Sequence, residues 1–293
     1  MFSTTYEKEA ANRDTVSEFI TERKYLKNVT PKTLTWYGDA FKAFDSALES
    51  ETAIKRRIVE LRTRGISPTS VNSWVRVINA FLKWQGANVR IPKLKEEQKV
   101  LATLTPEQIR RLVSFKPKGI NQTRTHTAAL LILDGGYRIS ELLTLPFDHC
   151  DLDNLVVKVR GKGGKHRLIP LSMEMRKRLY RYATKHSGPG WLMFGTRNHT
   201  PVTVRNFERD LKLIGARTGV TGVRFSPHTL RHSFACEYLR NGGNLYYLSR
   251  ILGHSSVKTT EIYLQSVKID ELAAVHDRLS PLAPGSLRDR KHR

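Results

Sequence analysis

The sequence predicts a mainly α-helical protein in two domains, the second interrupted by a small antiparallel β-sheet. Three observations predict it. Apolar residues recur at helical spacing through most of the 293 residues. That periodicity lapses over residues 88–102, where charge and a proline take over. It then changes from 3.6 to 2 between Leu155 and Leu171 alone.

The elements follow in order. Val16, Phe19, Ile20, Tyr25 and Leu26 fall at helical spacing. Thr30-Pro31 caps and starts a second helix with the stripe Leu34, Tyr37, Phe41 and Phe44. Residues 53–64 form a third, ended by Gly65. Ser67-Pro68 opens a fourth, running through Val71, Trp74, Val75, Ile78, Phe81, Leu82 and Trp84 to Gly86. Four short helices with basic residues between the stripes make a compact bundle over residues 1–87. Residues 88–102 read as a linker, 103–280 as the second domain and 281–293 as a basic, flexible tail.

In the second domain Thr105 is the N-cap and Pro106 the first position of a helix. Residues 127–134 and 139–145 continue in helix on either side of Gly135-Gly136. Leu155, Val157 and Val159 then alternate with Val156, Lys158 and Arg160, and residues 167–171 form a second extended run, with GKGGK turning between them. Helices return over 173–185, 204–217, 229–240 and 246–252. A separate short helix, capped by Ser255 or Ser256, carries Tyr263 between Ile262 and Leu264, which are expected in the core. A last helix over 269–279 has the stripe Ile269, Leu272, Val275 and Leu279.

Charge narrows the function. There are 50 Lys and Arg against 27 Asp and Glu, a formal net charge of +23. Up to residue 100 there are 18 basic and 12 acidic residues, and beyond it 32 and 15. An excess of this size repels itself in the compact state and points to a polyanionic partner, nucleic acid before an anionic membrane surface. No apolar run approaches the roughly 18 residues of a membrane span, so no membrane partner is expected and a cytoplasmic protein is. Cys150 and Cys236 stand far apart, outside any CxxC spacing, which implies neither a disulfide framework nor a cysteine-rich zinc site.

Several segments carry chemistry-bearing residues. PHTLRHS sets His228 and Arg231 on one face at a helix start, with His232 one position round. His228 and His232 have the i, i+4 spacing of HExxH zinc sites, but Thr229 stands where the glutamate should be and no third ligand is evident, so no metal is expected. The glycines of residues 161–165 turn between strands rather than opening a helix, unlike a phosphate-binding loop. GGYRISELLTL puts Arg138 at a helix start, with Glu141 available to cap or pair.

Taken together in this order, GGYRISELLTL, the strand-GKG-strand hairpin, HTLRH and LGHSSVKTTEIY resemble the tyrosine recombinases of the phage integrase family. TPKTLTWYGDAFKAF and ISPTSVNSWVRVINAFLKW likewise resemble that family's helical, SAM-like core-binding domain, so the resemblance covers nearly the whole chain. It implies an α+β catalytic domain in which Arg138 and Arg231 are the catalytic arginines, Lys162 the hairpin lysine, His228 the histidine of HxxR, His254 that of LGH, and Tyr263 the nucleophile. No arm-type domain is expected before residue 12 or so, which implies a simple recombinase independent of accessory sites.

The implied reaction cuts double-stranded DNA to a 3′-phosphotyrosyl intermediate and reseals it through a Holliday junction, with no cofactor. Two guanidiniums suit the non-bridging oxygens of a pentavalent phosphorane because each is a rigid multi-donor fork. A phenol has a reference pKa near 10, so Tyr263 needs its proton taken; His228 is the candidate base, His254 a further phosphate donor and Lys162 the general acid on the leaving 5′ oxygen. A homotetramer on DNA, monomeric in free solution, is implied. The alternatives are a type IB topoisomerase, which relaxes DNA as a monomer, and a non-catalytic DNA-binding protein on the same fold.

Overall fold

A computed structural model describes residues 3–96, 102–161, 164, 166–186, 192–196, 198, 200–266, 273, 275 and 276, with backbone alone for residues 3–13 and 46. The chain divides into two compact units, Met1–Lys99 and Val100–Arg293. Among the described residues, no helix is long and apolar enough to cross a membrane.

The first unit is built from helices α1 (Ser3–Tyr25), α2 (Pro31–Phe44), α3 (Glu51–Thr63) and α4 (Pro68–Trp84). Thr30, Ser50 and Ser67 each accept a hydrogen bond from the backbone N–H three residues on, satisfying a donor that the first turn leaves open. Gly65 and Gly86 follow α3 and α4 with φ of +82° and +77°, a conformation glycine adopts without steric cost. The core is centred on Phe19, whose ring lies 5.5–5.9 Å from those of Tyr37, Phe41, Phe81 and Trp84. Tyr25 and Leu26 do not join it. They are exposed, because α1 ends at Tyr25 and Leu26 lies past its last turn.

The first part of the expected linker packs on the helical unit. Ile91 is buried in the core of the first unit and Leu94 packs against it. Two asparagines of α4, one heptad apart, tie this extended segment down. Asn79 exchanges hydrogen bonds with both backbone groups of Ile91 (2.8 and 2.9 Å), and Asn72 does the same for Leu94. A side-chain amide has one donor end and one acceptor end, so it stands in for a neighbouring strand. Residues 88–96 therefore belong to the helical unit.

In the second unit α5 (Pro106–Ser114) begins with a capping box between Thr105 and Gln108. It is followed by α6 (Gly119–Gly135), α7 (Ile139–Leu143), strands β1 (Cys150–Asp151), β2 (Val156–Arg160) and β3 (His166–Pro170), and helices α8 (Met173–His186), α9 (Val204–Arg217), α10 (Pro227–Arg240) and α11 (Leu245–Leu252). Helix α6 packs against α8, α9 and α10. It is buried almost all round from Thr125 to Ile132, as expected of a helix at the centre of a domain.

The sheet is antiparallel in the order β1-β2-β3, with Val157 opposite Ile169 and Arg160 opposite His166. Val157, Val159 and Ile169 are buried on one face, the alternation that the period of two requires. The period of two marks the two strands of the hairpin; β1 adds a third strand of two residues, too short to show a period.

Candidate active site

Helix α10 starts at Ser226, whose hydroxyl accepts from the Thr229 N–H (3.2 Å). That start fixes where His228, Arg231 and His232 leave the helix. Arg231 points inward and is 5% exposed. A buried guanidinium needs acceptors. It donates to the Gly136 carbonyl, to the Leu252 carbonyl at 2.8 Å and to His254 Nε2 at 3.1 Å. Burial, followed by the nearby Arg138 charge, lowers its pKa to about 10, which leaves it charged at neutral pH. Gly136 caps α6 with φ +64°, and a Cβ there would come within 2.6 Å of Leu252 and Phe234, so glycine is needed where α6, α10 and α11 meet.

Arg138, half-buried at the start of α7, donates to Glu141 Oε1 (2.9 Å) and to the Gly253 carbonyl (2.9 Å). Glu141 is itself buried. Its carboxylate accepts the Arg138 backbone N–H and a bidentate pair of bonds from Arg167 on β3, both at 2.8 Å. Burial would raise the Glu141 pKa. The Arg167 hydrogen bonds and charge, with those of Arg138, outweigh it and hold the carboxyl below its ordinary value. Arg167 also donates from Nε to the Ile251 carbonyl (2.9 Å). Its side chain lies so close to Gly253 that a Cβ there would meet it at 2.9–3.0 Å.

After Gly253 the chain turns through two short 3-10 segments, Val257–Thr259 and Glu261–Ser266. His254 Nδ1 lies 2.8 Å from the hydroxyl of the fully buried Thr260. Arg231 can only donate, so His254 Nε2 must accept; the proton therefore sits on Nδ1 and is given to Thr260. Burial, then Arg231, Arg138 and Arg167, bring the His254 pKa down to about 4. The Tyr263 hydroxyl lies 3.2 Å from His232 Nδ1. Burial raises the Tyr263 pKa, and the charge and a hydrogen bond of Arg231 oppose that rise.

Arg138, Arg231, His254 and Tyr263 are thus brought together from four separate segments of the second unit. His228 stands apart from this inner set: it is exposed on the first turn of α10, with its ring 6.3 Å from that of His232. The histidine within hydrogen-bond distance of the Tyr263 hydroxyl is His232. Lys162, the expected helix over 269–279 and the basic tail lie outside the described residues, apart from single positions at 273, 275 and 276.

The surroundings of Tyr263 invert the expectation for its neighbours. Ile262 and Leu264 are 41% and 45% exposed, whereas Tyr263 is 2% exposed and packs with Ala235, Cys236, Leu239, Leu248 and Leu252. A 3-10 turn has three residues per turn, so residues adjacent to a buried position point away from it. Ser256 precedes the first of these turns without a side-chain capping bond, and Thr260 anchors the piece through His254. Arg167 and Thr260 were not singled out from sequence, and Glu141 and His232 were noted there without these partners. Arg167 carried a readable signal: strand alternation sets it on the face of Ile169, and an inward arginine demands a buried carboxylate.

The model of the phage integrase family matches residues 102–268. The chain belongs to this family, the tyrosine-type site-specific recombinases. Its similarity is to members of the Xer type. A tyrosine recombinase XerA of Thermococcus kodakarensis is 29% identical over 263 residues, covering 86% of this chain and 91% of the relative. A tyrosine recombinase XerD of Brucella suis is 30% identical over 261 residues, covering 79% and 84%. A Tn1549 transposon integrase solved in complex with circular intermediate DNA is 20% identical and superposes with a TM-score of 0.71 over 91% of this chain and 99% of that one, a likeness of fold.

Proposed function

We propose that this chain is a site-specific DNA recombinase that breaks and rejoins double-stranded DNA through a 3′-phosphotyrosyl bond to Tyr263. The observation that carries the reading is the meeting of two arginines, a neutral histidine and a tyrosine hydroxyl at one place. Arg138 and Arg231, held by Glu141 and by backbone carbonyls, would bind the non-bridging oxygens of the scissile phosphate. Their positions are set before DNA arrives, which is what makes such donors effective in the transition state. Tyr263 would attack phosphorus, and Lys162 would protonate the departing 5′ oxygen. The phosphotyrosyl linkage conserves the bond energy, so the 5′ hydroxyl of a second strand can reseal it, and two rounds of exchange pass through a Holliday junction.

The net charge of +23 supports contact with phosphates along a duplex. Solved relatives include the integrase in complex with DNA and a XerH recombinase bound to its difH substrate, which supports the same partner here. The named relatives are recombinases and an integrase, which favours strand exchange over relaxation by a type IB topoisomerase. Four protomers holding two duplexes would be the working assembly, formed on DNA from monomers; light scattering of the protein–DNA complex should give that mass, and a single protomer per duplex under synapsis conditions would contradict it.

The function is tested with a suicide duplex, nicked near the cleavage point, whose core sequence is recovered by selecting random duplexes on the purified protein. A denaturing gel should show a covalent protein–DNA band, unaffected by EDTA and absent in Tyr263→Phe. A band that survives Tyr263→Phe would assign the nucleophile elsewhere.

A further inference from the structure

We propose that His232 accepts the Tyr263 proton in the cleavage step, in place of the exposed His228. The inference rests on the reading of Tyr263 as nucleophile. Its geometry is direct: His232 Nδ1 is 3.2 Å from the Tyr263 hydroxyl and the two rings are 5.6 Å apart. Arg231 approaches the same phenol oxygen with a hydrogen bond. Arginine has no acceptor, so the phenol cannot give its proton in that direction. His232 Nδ1 faces the hydroxyl with a lone pair when its ring carries the proton on Nε2.

The electrostatics agree. Burial, then His228 on the same helix and Arg231, lower the His232 pKa from its ordinary value, so the ring is neutral and able to accept at pH 7. The His254 ring also stacks on that of Tyr263, with centroids 6.5 Å apart. It cannot take the proton, because its Nδ1 hydrogen is committed to Thr260 and its Nε2 to Arg231. In the step itself the Tyr263 oxygen bonds to phosphorus as its proton moves to His232 Nδ1. The bond from phosphorus to the 5′ oxygen breaks, and that oxygen takes a proton from the general acid proposed as Lys162. One imidazolium forms, one ammonium is neutralised, and religation reverses both transfers.

The test uses the full chain and a duplex with sulfur replacing the bridging 5′ oxygen at the scissile phosphate. A thiolate leaves without needing a proton, so the rate of covalent adduct formation isolates the nucleophile's half of the reaction. In His232→Asn the amide oxygen can occupy the place of Nδ1 and accept a hydrogen bond but cannot carry the proton away. We expect it to slow adduct formation by roughly 10²-fold or more, in the range general bases contribute, and to lose the wild-type dependence on pH. His228→Asn should keep that dependence. Should His232→Asn fold poorly, His232→Ala with added imidazole replaces it, the rate rising with the free base. A wild-type rate and pH profile in His232→Asn, or no response of His232→Ala to imidazole, overturns the proposal. The two readings fail separately. Absence of adduct from the wild type, or its presence in Tyr263→Phe, removes the nucleophile assignment, whereas a wild-type adduct with an unaffected His232→Asn removes only the base.

Discussion

His254 is neutral because burial disfavours its charged form and three arginines beside it add to that, and its pKa of about 4 has a consequence for stability. In the unfolded chain an imidazole takes up a proton near pH 6.5. In the folded protein it holds out until about pH 4, so between these values the unfolded state binds more protons and stability falls as the pH falls. Titration of the histidine ring protons by NMR in the full chain should find His254 still neutral at pH 5.5. A midpoint near 6.5 would mean that its bonds to Arg231 and Thr260 are not those described. The same bonds bear on its role toward phosphate: His254 Nε2 carries no proton while Arg231 donates to it, so donation to a phosphate oxygen requires the ring to change tautomer or Arg231 to turn toward the substrate.

Residue by residue, the sequence was most legible where a local rule applied. Thr30, Ser67 and Thr105 cap helices by the short reach of a hydroxyl, and Arg138, Arg231, His254 and Tyr263 stand in spaced motifs that survive folding as neighbours. Partners chosen by tertiary geometry were not legible. Nothing local distinguishes His232 from His228, and only the position of the turn Glu261–Ser266 against α10 decides which of them meets the Tyr263 hydroxyl.

At the level of elements, the site depends on how α11 ends. Gly253 has φ +64°, its carbonyl accepts from Arg138, and its missing side chain leaves room for Arg167. Gly253→Ala should therefore cost about 1–2 kcal/mol for the left-handed conformation alone, and more as Arg167 is pushed from Glu141. Denaturant unfolding should show this loss and adduct formation should slow. Unchanged stability would show that the turn relaxes without cost. Elements were legible in proportion to their periodicity. The run Val204–Arg217 is visible in sequence because Phe207, Leu211 and Ile214 lie on one stripe. The first half of α6 is not, because residues 119–126 are mostly polar and are held in helix by the packing of the rest. The 3-10 turn under Tyr263 is likewise set by packing on α10, which is why a helical stripe misplaced Ile262 and Leu264.

For the whole molecule, the excess of positive charge, the two units and the family all follow from features spread along the chain, and they agree. The central claim is narrower: that one hydroxyl, Tyr263, becomes joined to DNA. It is tested most directly by trapping the covalent adduct on a suicide duplex, trimming the DNA with nuclease, digesting with trypsin and sequencing the modified peptide by mass spectrometry. The account predicts a nucleotide remnant on the peptide TTEIYLQSVK, residues 259–268, at Tyr263. A remnant on any other peptide, or an adduct with no modification of this one, would contradict it.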